Sequence, residues 1–372
     1  MIRILFVFGT RPEAIKLAPV VRLLAGFPQQ FAARVAVTAQ HRDLLDQVLE
    51  AFSITPHHDL NVMTPGQSLF QSTSSILAAL EGVLERERPD CVLVQGDTTT
   101  TFCGALGAFY SGIAVGHVEA GLRTGGMRQP FPEEMNRVLV SRLAELHFAP
   151  TDAAAENLRR EGVDPERIFV TGNTGIDAVL HVRDELAAGR LLSEGLPVLD
   201  PRKKLVLVTA HRRESFGEGF ERICRGLSRL ARRSDVELVY PVHPNPNVRD
   251  PVNRYLRGAT NVRLIEPLAY VPFVDLMRRA HVLLTDSGGI QEEGPSLGKP
   301  VLVMREKTER PEAIEAGTAR LVGTNEERIV AETALLLEDE AEYARRSRVH
   351  SPYGDGQASG RIKDIIHSYF TT

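Results

Sequence analysis

Three carboxylates, an imidazole and several cations stand where a chain of this pattern would present them to a ligand. Asp97 comes two residues after the apolar run Cys91–Gln95, and Glu119 two residues after Ile113–His117. A Glu so close behind a buried strand, followed by Gly121 and Arg123, is neither a cap nor a turn former, so a functional role leads for it. Asp97 has a common structural alternative, the N-cap of the helix that should follow. Glu133 and Glu134 open a helical stretch, where the dipole favours negative charge, so each alone reads as structural. Arg137 lies four residues after Glu133, on the same face. In Gly9-Thr-Arg-Pro-Glu-Ala-Ile-Lys16, Pro12 suits a first helical turn, with Arg11 before it and Lys16 a turn in. Two cations there oppose the helix dipole, which points to an anion facing them about as strongly as to solvated surface charge. Behind Leu205–Thr209, Ala210-His-Arg-Arg-Glu-Ser215 sets His211 beside Arg212 and Arg213, an anion-binding group with a titratable ring. His243, behind Val236–Val242, reads equally as structural or functional. The chemistry these types can do is proton transfer by carboxylates beside a bound anion.

A seat for that anion is offered by Leu283-Leu-Thr-Asp-Ser-Gly-Gly-Ile-Gln-Glu-Glu-Gly-Pro295. The run His281–Thr285 reads as a buried parallel strand, and a helix should start at Asp286-Ser287-Gly288-Gly289, with Asp and Ser as caps. Free N–H groups there would suit a diphosphate, with Ser287 adding a hydroxyl. Glu293 would repel phosphate but accept hydrogen bonds from a ribose, and Arg310 would add positive charge. Taken alone, Asp-Ser-Gly-Gly is an ordinary turn; with Glu293 and Arg310 the nucleotide reading leads.

The elements that must position these residues are apolar runs alternating with amphipathic stretches. The runs are Ile2–Phe8, Ala33–Thr38, Cys91–Gln95, Ile113–His117 and Leu146–Ala149, then Leu205–Thr209, Val236–Val242, Val262–Ile265, Val282–Thr285 and Val301–Met304. They are β-branched and continuous, as in parallel strands buried on both faces. Helical spacing marks Ala14–Leu24, Phe70–Glu87, Glu133–Glu145 and Phe220–Arg232. The expected class is α/β: two Rossmann-like, doubly wound domains facing a central cleft. At 372 residues two domains are the natural expectation, divided as 1–171 with the tail helix 358–372, and 172–357. Hydrophobic content of 43% and charged content of 25% describe an ordinary globular protein, and a net charge of −4 gives no nucleic-acid footprint. Met1–Phe8 is too short to span a membrane and lacks a leader's flanks. Cys91, Cys103 and Cys224, widely spaced, suggest a reducing, cytoplasmic setting and neither a disulfide framework nor a zinc site. No metal cluster is visible. Without Gly-x-Gly-x-x-Gly after the first strand or a Walker Gly-Lys-Ser/Thr, dinucleotide redox and ATP hydrolysis are disfavoured.

The whole pattern resembles the non-hydrolysing UDP-N-acetylglucosamine 2-epimerases. The likeness is carried by Gly9-Thr-Arg-Pro-Glu-Ala-Ile-Lys16, Gln95-Gly-Asp-Thr98, His117-Val-Glu-Ala-Gly-Leu-Arg-Thr124, Pro132-Glu-Glu134 and Asn136-Arg137. It continues in His211-Arg-Arg-Glu214, Thr285-Asp-Ser-Gly-Gly289, Thr308-Glu-Arg-Pro311 and Tyr353-Gly-Asp-Gly356. The resemblance implies a GT-B fold whose C-terminal helix crosses back to the first domain. It implies interconversion of UDP-GlcNAc and UDP-ManNAc through UDP elimination and re-addition, without a cofactor, in a homodimer. Carried over, Asp97, Glu119, Glu133 and His211 are catalytic. Arg11, Lys16, Arg137, Arg212, Val271, Phe273, Ser287, Gly288, Gly289, Glu293 and Arg310 hold the substrate. Gln40, His41, Gln67, Arg212 and His243 correspond to a second UDP-GlcNAc site that activates the enzyme. Rival readings are a GT-B glycosyltransferase, a hydrolysing epimerase releasing UDP and ManNAc, and a nucleotide-sugar binder without turnover.

Overall fold

The computed structural model describes residues 1–38, 42–64, 66–348 and 352–371. They divide into two compact units, Met1–Ala178 with Tyr353–Thr372, and Val179–Pro352. In the first, β1 (Ile2–Phe8), β2 (Phe31–Val37), β3 (His58–Asp59), β4 (Cys91–Gln95), β5 (Ala114–Val118), β6 (Leu146–Ala149) and β7 (Ile168–Val170) form a seven-stranded sheet ordered β3-β2-β1-β4-β5-β6-β7. All its pairings are parallel, with Ile4 beside Cys91 and Val92 beside Val115. Its helices are α1 (Arg11–Ala25), α2 (Arg42–Ala51), α3 (Leu69–Glu87), α4 (Thr99–Tyr110), α5 (Glu133–Leu143) and α6 (Asp152–Arg160), and α7 (Thr174–Ala187) contains the division between the units.

The second unit carries β8 (Lys204–Thr209), β9 (Val236–Pro241), β10 (Val262–Ile265), β11 (Val282–Thr285), β12 (Val301–Val303) and β13 (Ala319–Leu321), ordered β10-β9-β8-β11-β12-β13 and again parallel. Its helices after α7 are α8 (Glu218–Leu230), α9 (Pro246–Leu256), α10 (Tyr270–Arg279), α11 (Gly288–Ser296), α12 (Pro311–Glu315), α13 (Glu326–Glu338) and α14 (Glu340–Arg346). The final helix, α15 (Ala358–Thr371), packs on α1 as part of the first unit. Ile362 and Ile366 are fully buried there. Asp177 accepts the N–H groups of Ala358 at 3.3 Å and Ser359 at 2.7 Å, supplying the anion that the start of α15 favours.

Continuous apolar runs became central strands because helices cover both faces: Cys91, Val92, Leu93 and Val94 of β4 are all fully buried. At about 1.5–3 kcal/mol for each large apolar side chain, such rows hold the sheets. Strand order reverses between β1 and β4 and between β8 and β11, so the loops after these strands lie side by side at the carboxyl edge, where such sheets bind ligands. Glycine at position 9 is required by one close approach: a Cβ there would stand 2.0 Å from Thr38 Oγ1.

Candidate active site

In the first unit the loops after β4 and β5, α1 and α5 bring together Lys16, Asp97, Glu119 and Arg137. Thr98, not Asp97, is the N-cap of α4, accepting the Thr101 N–H at 3.1 Å. Asp97 is thereby released from capping. Its carboxylate pairs with Arg137 and its carbonyl accepts Asn136 Nδ2 at 2.8 Å. Burial pushes its pKa above the ordinary carboxylate range, against the pull of Arg137, and nearby Glu119 adds to the rise. Glu119 has φ +65°, left-handed backbone that costs a non-glycine residue about 1–2 kcal/mol. It is held by an ion pair from Lys16 and a hydrogen bond from Gln95 Nε2. Behind this loop, buried His117 Nε2 lies 2.7 Å from the Gly96 carbonyl, and burial takes its pKa down to about 3, so the ring is neutral and donates.

Arg137 has a different carboxylate partner from the one its spacing suggests. Its second contact is Glu134 at 3.3 Å, not Glu133. Glu134 is buried and accepts the N–H groups of Thr124 at 3.0 Å and Gly125 at 3.1 Å, which fixes the loop ahead of α5. Glu133 is half-buried in the first turn, with no hydrogen bond or ion pair to another described residue. Arg11 and Lys16 both lie on α1, half-buried. Arg123 is structural, bonded to Glu161 at 2.7 and 2.9 Å.

The second unit's site surrounds the start of α11. Ser287 occupies the N-cap position without making a capping hydrogen bond, and Asp286 does not cap either, contrary to the sequence expectation. Asp286 instead accepts the N–H groups of His211 at 2.6 Å and Arg212 at 2.7 Å, tying the loop after β8 to the loop after β11. The N–H groups of Gly288 and Gly289 open the helix, and a Cβ at Gly288 would sit 3.9 Å from Arg212 Nη2 and 3.9 Å from Arg310 Cζ, with Glu309 Oε1, the partner of Arg212, at 3.3 Å. Two guanidinium groups and a helix start therefore converge, as a phosphate group requires. Arg310 pairs with buried Glu292. Glu293 is half-buried nearby, its Oε1 4.0 Å from the Cβ position of Gly289.

His211 Nδ1 lies 3.5 Å from Asp286 Oδ1, and its ring stacks on His243 with centroids 5.7 Å apart. Desolvation lowers the His211 pKa, Asp286 raises it, and His243 and Arg212 lower it further; the net direction is down. His243 is fixed by accepting the Asn245 N–H at Nδ1, 3.1 Å away. Val271 and Phe273 are half-buried in the first turn of α10. Gln67 spans its own loop, donating to the Val62 carbonyl at 3.0 Å and accepting the Thr64 N–H at 3.1 Å. Gln40 and His41 lie outside the described residues.

Several site residues were not singled out by sequence. Gln95 and Asn136 orient Glu119 and Asp97, Glu134 sets the loop before α5, and Glu292 holds Arg310. Gln95, Glu134 and Asn136 stand in the motifs that carry the family likeness, without a role assigned to them, and Glu292 had adjacency to Glu293 alone. Among the described residues no group of His, Cys, Asp and Glu could hold a metal ion, and no helix is long and apolar enough to cross a membrane.

Comparison with known proteins places this geometry. A family model described as UDP-N-acetylglucosamine 2-epimerase matches residues 27–367. The UDP-N-acetylglucosamine 2-epimerase of Escherichia coli strain K12 is 59% identical over 369 residues, covering 98% of each chain. The chain belongs to the UDP-N-acetylglucosamine 2-epimerase family. It is thus an enzyme of the isomerase class. Among solved structures, the UDP-GlcNAc 2-epimerase of Neisseria meningitidis bound to UDP-GlcNAc is 47% identical with a TM-score of 0.88, covering 99% of this chain and 100% of that one. The Methanocaldococcus jannaschii enzyme, in complex with UDP-GlcNAc and UDP, is 32% identical with a TM-score of 0.77 at 99% and 100% coverage. Both support the GT-B-like pairing of Rossmann-like domains read from the sequence.

Proposed function

We propose that this chain inverts C2 of the sugar in UDP-N-acetylglucosamine, giving UDP-N-acetylmannosamine reversibly, with both residue sets acting on one substrate. The observation that carries the reading is Asp97: a carboxylate released from capping, oriented by Arg137 and Asn136, with a raised pKa beside Glu119. A base of that kind suits removal of the weakly acidic C2 proton. As the proton leaves, the C1–O bond breaks, its electron pair departs with UDP, and a C1–C2 double bond forms in a bound 2-acetamidoglucal. UDP then adds back to C1 while a proton is delivered to the other face of C2. Glu119 and Glu133 are the further carboxylates of this exchange, with Lys16 and Arg11 supplying positive charge. The N–H groups of Gly288 and Gly289, the Ser287 hydroxyl, Arg212 and Arg310 stabilise the departing diphosphate, and His211 serves its phosphate side. Glu293 accepts from the ribose, and Val271 and Phe273 border the uracil.

A second UDP-GlcNAc at Gln40, His41, Gln67, Arg212 and His243 activates turnover, and the working form is a cytoplasmic homodimer supplying ManNAc units for cell-surface polysaccharide. Proton NMR of UDP-GlcNAc with the protein in D2O tests the reaction. UDP-ManNAc carrying deuterium at C2, without free sugar, is expected. Free ManNAc would establish the hydrolysing reaction, and unchanged substrate that still binds would leave the transferase and the binder, which a screen of acceptors separates.

A further inference from the structure

Glu13 is a charged side chain that the proposed chemistry leaves without a task, and only 1% of it is exposed. Its position three residues after Thr10 forms a capping box at the start of α1. That motif explains one of its oxygens: Oε2 accepts the N–H groups of Gly9 at 3.1 Å and Thr10 at 2.7 Å. The other leaves its own helix. Oε1 accepts the Thr98 hydroxyl at 2.6 Å and the Thr101 hydroxyl at 3.0 Å. Thr98 is the cap of α4, and the Thr101 hydroxyl also reaches the Gln95 carbonyl at 2.6 Å. One carboxylate therefore joins the N-termini of α1 and α4, both of which favour negative charge. Capping requires neither the second oxygen's bonds nor loss of the carboxylate's hydration. Desolvation pushes the Glu13 pKa up while its donors pull it back.

The joined segments carry the chemistry. The start of α1 bears Arg11 and Lys16, and Lys16 holds Glu119; the start of α4 follows directly on Asp97. We infer that Glu13 is a positioning residue for the epimerisation: its carboxylate sets the spacing between the cation-bearing start of α1 and the Asp97 loop. This rests on the assignment of Asp97 and Lys16 to the reaction proposed above. Glu13 touches no reacting atom and acts through these two segments. A glutamine in its place can keep the tie. Its amide oxygen accepts both N–H groups, and its NH2 donates to hydroxyls that accept as readily as they donate.

The test compares Glu13→Ala, Glu13→Gln and Asp97→Asn by kcat, KM for UDP-GlcNAc and calorimetric UDP affinity. Glu13→Ala should lower kcat by about 10- to 100-fold, the scale of an ångström-sized misplacement. Its KM and UDP affinity should stay within about threefold, and Glu13→Gln should return kcat to within about fivefold of wild type. Wild-type kcat in Glu13→Ala would overturn the inference, as would equal impairment of both Glu13 variants, which would assign the effect to charge. If Glu13→Ala does not fold, Thr98→Val removes the shorter of the two cross-loop bonds, together with the cap of α4, with shape kept. A kcat loss of about 3- to 10-fold at unchanged KM is then expected, and unchanged turnover overturns the role. An active Asp97→Asn would refute the site reading itself; an inactive one beside fully active Glu13→Ala refutes only the role of Glu13.

Discussion

The two units present their polar residues in opposite ways. In the first, several charged groups are paired within the unit: Lys16 with Glu119, Arg137 with Asp97 and Glu134, and Glu13 with two helix starts. The side chains of Glu119 and Arg137 are 9% and 13% exposed, whereas those of His211 and Arg212 are 43% and 40% exposed. In the second unit Ser287 makes no capping bond and the N–H groups of α11 begin without one. Carboxylates held by their own counter-ions, as Asp97 and Glu119 are, suit proton transfer at a fixed point, because their geometry is set before a substrate arrives. Open N–H donors beside a partly exposed Arg212 suit an anion that comes and goes. The contrast supports the proposed division: acid–base work in the first unit and diphosphate grip in the second.

The contrast breaks most visibly at Glu119. Glu119→Gln should lower kcat by about 10²- to 10³-fold with UDP affinity unchanged, since a positioned acid or base contributes on that scale. Steady-state epimerisation and calorimetry check it; turnover within threefold of wild type would return Glu119 to a structural role.

Acid should separate the units next. His117 and His147 face each other across β5 and β6, fully buried, with pKa values taken down by burial to about 3 and about 4. Unfolded histidine titrates near 6.5, so between that value and the folded pKa the unfolded chain binds more protons. Stability contributed by these neutral rings is therefore complete above about pH 6.5 and is lost as pH falls, by about 2 kcal/mol per ring at pH 5. Hydrogen exchange at pH 7 and pH 5 should show β5 and β6 losing more protection than β8 and β11, where burial also lowers the pKa values of His211 and His281 but less far. Equal loss in both sheets would contradict this.

Smaller effects belong to the second unit. Arg310→Lys keeps the charge beside Glu292 but loses the planar fork, and should weaken UDP binding by about five- to tenfold with little change in kcat. Titration with UDP reads this directly, and unchanged affinity would remove Arg310 from the diphosphate site. Smallest is Ser287→Ala. Because Ser287 caps nothing, its loss should leave the melting temperature unchanged and UDP affinity within about threefold, whereas Thr98→Ala should cost about 1 kcal/mol of stability.

These contrasts show where sequence was sufficient. The central strands β1, β4, β8 and β11 were legible because burial on both faces demands unbroken apolar runs. β3 and β13 carry no such run, β7 is apolar but only three residues long, and all three went unseen. Neighbouring identical chemistry was the second difficulty. Asp97 and Thr98 are both good caps, and Glu133 and Glu134, like Glu292 and Glu293, differ only by a rotation of about 100°. Which of each pair turns inward is decided by tertiary contacts such as Asn136 on the Asp97 carbonyl and Gly125 on Glu134. Glu13 was concealed because its spacing from Thr10 already has a sufficient local explanation.

The most direct measurement is made on Asp97→Asn: calorimetric UDP affinity together with deuterium incorporation at C2 of UDP-GlcNAc in D2O. The division of labour predicts UDP binding within about tenfold of wild type and loss of most C2 exchange. Exchange at the wild-type rate would remove Asp97 from the chemistry, and loss of UDP binding together with exchange would show that the first unit grips the nucleotide as well.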